Sequence, residues 1–295
     1  MLVVSTLVPD VTADVGSLVA AVRPSDTLLA VGSLVNGLGS SSTELDLLLL
    51  GTGAPSKGVS ATVSSMSSSY YRVASGRTVK VRFCSDDELY RIAETVDHFS
   101  QALIEPSAWA NLPHLDEPTQ VLLHELRNGI VLTNASIAQS WRETLRVDEL
   151  HLYVATLHLL RYAARRRSVF QQLQDGDPEN ARWMLVECLE AILAGALAAA
   201  GETNPRRRWH LRLARRLDAG FQAAGVARVI DMIRMWPSDD TGEAVAAGLA
   251  VADELRDQVL HRCPQLSMLK FLRNEEQPCP QLSSSDTRAR KRSDG

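Results

Sequence analysis

Two short apolar runs, each closed by glycine, constrain the first third of the chain more than any other feature. They are 27–31 (TLLAV, then Gly32) and 45–50 (LDLLLL, then Gly51). Each is too short for a stable helix and too apolar for a surface turn, so both predict buried strands. The residues around them fit a small α+β layer. Helical spacing runs over 11–22, and 34–42 is a Gly/Ser-rich loop with room for one helical turn. A further strand is expected within 61–74, around Tyr70 and Tyr71, before a turn at Ser75-Gly76. Residues 78–83 alternate, with Val79, Val81 and Phe83 on one face and Lys80 and Arg82 on the other. That period of two is a half-exposed strand. Ser85 then opens a helix as its cap, with Glu88 completing a capping box.

From about residue 116 the texture changes, strand signals vanish, and helical spacing covers 118–127, 135–145, 147–173, 178–200, 206–217, 219–236 and 243–262. Breaks fall at Asn128-Gly129, 175–178, 201–205 and 237–242. The expected organisation is a small mixed-sheet domain over 1–115, an all-α helical bundle over 116–275 and a disordered basic tail over 276–295.

Composition excludes several function classes. The 295 residues are 45% hydrophobic and only 5% aromatic, so a core must be built from Leu, Val, Ile and Ala. A net charge of −4 gives no global attraction to nucleic acid. Cys84, Cys188, Cys263 and Cys279 lie far apart, with no C-x-x-C pair, which argues against zinc and disulfides and for reduced thiols in the cytoplasm. The apolar N-terminus has no basic flank and does not read as a signal peptide, and no run is long enough to span a membrane. The seven histidines show no metal-ligand spacing. There is no Walker A loop either.

The chemistry is concentrated in 31–50. A strand ends at Gly32-Ser33, where a bare backbone can approach a phosphate. Glu44 and Asp46 follow at i and i+2 in a strand, a spacing that points both carboxylates to one side. Two adjacent carboxylates repel unless a cation joins them, and Mg2+ shared with substrate phosphates is the usual answer. The alternative is a Ser/Gly loop followed by a core strand with two incidental acids.

This stretch resembles the signature of the DNA-polymerase-β superfamily of nucleotidyltransferases, G-S-x-x-x-G-x-x-x-x-x-S-D-x-D-L. Gly32, Ser33 and Gly37 fall on its glycine and serine positions, Thr43 stands for the later serine, Glu44 for the first aspartate and Asp46 for the second. The resemblance implies a small bacterial two-domain enzyme, similar to antibiotic or antitoxin nucleotidyltransferases. It would transfer NMP from an NTP, first of all ATP, onto a small-molecule acceptor, with a protein acceptor as the next choice. Glu44 and Asp46 would be the catalytic acids that hold Mg2+, and Gly32 and Ser33 would bind phosphate. The chain would act as a monomer or homodimer, without membrane or nucleic acid. Relatives carry a third carboxylate on a later strand, and on that register Arg82 stands in its place. The alternative is therefore a degenerate member, binding nucleotide or a partner protein without catalysis. The stretch 201–210 also resembles the N-P-x-x-(Lys/Arg)-Trp segment of small bacterial nucleotidyltransferase-like proteins, with Arg208 facing the triphosphate, Asn204 as N-cap and Pro205 at the first helical position. A solvated basic helix explains those arginines equally well, and a solvated face is the simpler reading of Arg161 and Arg165–Arg167.

Overall fold

The structure is a computed structural model that describes residues 15, 16, 18–39, 44–51, 64, 65, 68–72, 78–104, 114–217, 223–235 and 242–266. The expected Ser75-Gly76 turn and the basic tail lie outside the described residues. The chain divides into two compact units, Met1–Leu150 and His151–Gly295. It is α+β, with a mixed sheet in the first unit and helices alone among the described residues of the second.

The sheet holds six strands in the order β3-β4-β5-β2-β1-β6: β1 Thr27–Val31, β2 Leu45–Gly51, β3 Ser64–Ser65, β4 Ser68–Arg72, β5 Thr78–Ser85 and β6 Ile130–Val131. β2 is central, antiparallel to β1 and parallel to β5. Its leucines are buried on both faces, which is why the run lacks alternation. One face places Leu28, Ala30, Leu45, Leu47, Leu49, Val79 and Val81 in a core with Val15 and Leu18 of the helical residues near the N-terminus. The other face carries Leu29, Val31, Asp46, Leu48, Lys80 and Arg82, because register partners across neighbouring strands share a side.

Helix α1, Gly32–Val35, is the single turn between β1 and β2. Helix α2, Asp86–Ile104, starts where Ser85 Oγ accepts from the Glu88 amide at 3.2 Å, the expected cap. Helix α3, Glu117–Asn128, is capped by Asp116 and followed by β6 and α4, Ala135–Thr144.

The division at Leu150 corrects the boundary expected at about 115. α3 and α4 pack on β1, and β6 extends the sheet beside it. The sequence reading missed β6 because two residues are too few to carry a period. Thr133 fastens this segment: its carbonyl accepts from Thr27 Oγ1 at 2.7 Å, and its hydroxyl accepts from the Leu28 amide at 3.0 Å. Arg142 of α4 donates to the carbonyls of Leu126 (2.9 Å) and Gly129 (2.8 Å), closing the C-terminal end of α3.

The second unit contains all but the first residue of α5 Leu150–Gln174, and α6 Pro178–Ala199, α7 Arg207–Ala214, α8 Ala223–Met235 and α9 Gly242–Arg262. α6 is the central helix, buried along most of its last three turns against α7, α8 and α9. Gly248 of α9 lets Leu185 of α6 come close, since a methyl group there would lie 3.1 Å from Met232 and closer still to Leu185. Cys84, Cys188 and Cys263 are free and buried. Among the described residues no helix is long and apolar enough to cross a membrane.

Candidate functional site

The first unit brings Gly32 and Asp46 together. Val31 and Asp46 are register partners, so the chain leaving β1 passes directly beside the Asp46 side chain. Gly32 has φ +80°, a left-handed conformation that a side chain disfavours. A methyl group there would also overlap the Asp46 carboxylate and lie 2.9 Å from Asp46 Cβ. Glycine is thus required twice, by the backbone and by the carboxylate against it. Ser33 follows on α1 and is half-buried; its carbonyl accepts from the amides of Leu38 (2.7 Å) and Gly39 (2.8 Å) and folds the Gly/Ser loop back on itself.

Glu44 differs from expectation. It stands one residue ahead of β2 and is exposed, so the pleat does not set its direction as it does that of Asp46. Asp46 is half-buried at the second position of the strand.

The flank opposite β1 belongs to β5. The register partner of Asp46 there is Lys80, whereas Arg82 lies beside Leu48. The residue next to the carboxylate across the sheet is therefore Lys80, with Arg82 two positions further along β5 on the same face. Arg82 forms an ion pair with Glu125 of α3, whose side chain is only 7% exposed. Asp86, Asp87 and Glu88 open α2 past the far end of β5. The Asp86 carboxyl is raised by its burial first, and then by Asp26 and Asp87. Among the described residues no group of three or more His, Cys, Asp or Glu side chains is placed to hold a metal ion.

α3 forms a roof over this face. Its His124 is buried, with Nε2 3.0 Å from the side-chain amide nitrogen of Asn36, just after α1, and Nδ1 3.2 Å from that of Asn128. Gly129 presses on β1, where a methyl group would lie 2.9 Å from Val31 Cγ1. The helical spacing over 118–127 covers His124 and Glu125 without assigning them a role. A signal was available: both interrupt Val121–Leu126 at positions where the apolar residues around them are buried.

Arg208 belongs to the second unit. It is exposed on the first turn of α7, its guanidinium 5.1 Å from the ring centre of Trp209. The expected Asn204 N-cap is corrected: Arg206 is the N-cap, without a side-chain cap. Asn204 instead accepts from the Arg206 amide at 3.1 Å in a turn that precedes the helix. Arg207 pairs with Glu190. These groups border a cavity of about 340 Å3, with His210 and the apolar Leu193 and Ile233. The arginines of α5 do not form one solvated face, because Arg166 is buried and binds Asp253 in bidentate fashion at 2.9 Å. His158 and His210 pack edge to face, with ring centres 6.2 Å apart.

No protein-family model matches the chain, and no curated protein is similar to it. Among solved structures, the chain is similar to a nucleotidyltransferase-like protein from Exiguobacterium sibiricum 255-15 at 14% identity. The likeness covers 90% of this chain and 80% of that one, with a TM-score of 0.46. A likeness that loose fixes neither family nor activity.

Proposed function

We propose that the first unit is a nucleotidyltransferase-type unit that binds a nucleoside triphosphate, ATP before the others, and moves its NMP onto a small-molecule acceptor, a protein acceptor being the next choice. The observation that carries this reading is the contact of left-handed Gly32 with the Asp46 carboxylate. It joins a bare backbone suited to phosphate to an acid suited to a metal. The residues that would hold Mg2+ are Asp46 on β2 and Glu44 one residue ahead of it, both hard oxygen ligands. When bound, that ion would polarise the α-phosphate and neutralise the charge that develops on pyrophosphate. Ser33 would donate its hydroxyl to a terminal phosphate oxygen. His124 and Asn36 would hold the loop that carries these donors against α3.

A second reading, binding without transfer, is favoured by one feature. β5 carries Arg82 where relatives would carry an acid. Calorimetric titration with ATP, GTP, CTP and UTP in Mg2+ tests the nucleotide claim. Binding of one of them, lost in Asp46→Ala, is expected; failure of all four to bind would remove both readings. Pyrophosphate release on adding acceptor-containing extract separates transfer from binding alone.

A further inference from the structure

In the second unit, α7 and α8 both pack on α6, and the cavity of about 340 Å3 opens between them. That volume falls at the small end of the range for small-molecule sites, about 300–1,000 Å3. Its walls are apolar: Leu193 of α6, Leu211 of α7 and Ile233 of α8. Leu211 and Ile233 are only half-buried, so an apolar body laid on them would remove further apolar surface from water. The polar groups of the lining are few and unbalanced. Arg207 and Glu190 neutralise each other as an ion pair. His210 adds no charge: burial first, and then Arg207 and Arg161 against the bond to the Asn204 carbonyl, hold its pKa below the ordinary histidine value. Arg208 is exposed, and among the described residues no carboxylate pairs with it. Its guanidinium lies 5.1 Å from the centre of the Trp209 ring. That contact engages the cation but takes up no oxygen acceptor, so the N–H fork keeps its capacity for one. Two guanidiniums against one carboxylate leave the lining with one net positive charge. Inorganic phosphate has no apolar body for these walls, and a nucleoside triphosphate carries more charge than one guanidinium balances.

We propose that this cavity binds a small organic acid, an apolar body with one carboxylate. Arg208 takes the carboxylate on its N–H fork, and the apolar body covers Leu193, Leu211 and Ile233. The site does not rest on the nucleotidyltransferase-type reading of the first unit and survives its failure.

The test is titration calorimetry on the full chain with phenylbutyrate as the probe and phenylbutanamide, inorganic phosphate and ATP beside it. The acid should bind at one site per chain. Changing the acid to the amide, or Arg208→Gln, should each weaken binding by about five- to tenfold, the size of one charge-assisted contact at an exposed position. Ile233→Trp and Leu211→Trp, which fill the cavity from α8 and from α7, should abolish it; circular dichroism identifies the folded variants, and either one suffices. The proposal is overturned if the acid does not bind, if the amide binds as tightly as the acid, or if a folded Arg208→Gln or tryptophan variant matches wild type. Displacement of the probe by phosphate or ATP at equal concentration would also overturn it, since the cavity would then be a plain anion site.

Discussion

Gly32→Ala is the sharpest perturbation of the site, because it separates backbone strain from the contact with Asp46. At φ +80° an alanine costs about 1–2 kcal/mol relative to an ordinary backbone position. The new methyl would overlap the Asp46 carboxylate and approach Asp46 Cβ at 2.9 Å and Cγ at 3.0 Å. Carbon contacts are comfortable only from about 3.5 Å. The half-buried carboxylate can swing toward water, but its Cβ cannot follow, because Leu45 and Leu47 fix β2 in the core. The strands must then part locally, an overpacking cost of about 1–2 kcal/mol. Together the two effects predict a loss of about 2–4 kcal/mol. Urea denaturation measures it, as a lower midpoint at unchanged slope. The Gly32→Ala/Asp46→Gly pair carries the diagnostic. Removing Asp46 Cβ together with the carboxylate relieves the overlap, so the double variant should lose less than the sum of the singles by about 1 kcal/mol. Strictly additive losses, or a Gly32→Ala midpoint equal to wild type, would refute the packing argument.

Two further outcomes follow from the geometry. Glu125→Ala leaves Arg82 without its buried partner and should destabilise the first unit by about 3 kcal/mol, whereas replacing both residues by Met should cost far less; equal losses in calorimetry would show that the pair does not act as one. His158 is held down to about 3, by burial first and then by His210 and Arg161. Its unfolded value is about 6.5, so the neutral ring contributes stability that is fully present above that pH and is lost as pH falls toward 3. Melting temperatures between pH 7 and pH 4 should therefore fall less steeply in His158→Gln, and an unchanged slope would dismiss the histidine as the cause.

Local signals in the chain carried most of the elements. β1, β2 and β5, the Ser85 cap and every helix from α3 to α9 lie close to the expected ranges, because period, capping residues and breakers act over a few residues. β6 and the boundary at Leu150 escaped because both depend on what Ile130–Val131, α3 and α4 touch. The candidate site divides in the same way. Gly32-Ser33 and Asp46 were legible as a motif, while Lys80, Glu125 and His124 gained meaning only from strand register and the placement of α3.

The sequence by itself determined an α+β chain with a glycine-serine turn between two buried strands and an acid early in the second. Those are consequences of backbone freedom and side-chain period, which need no distant partner. Only the tertiary structure decided that the acid rests against Gly32, that Lys80 rather than Arg82 is its neighbour, and that Arg82 is paired with a buried glutamate. Charge pairing is set by which strands and helices lie side by side, and a one-dimensional spacing does not contain that.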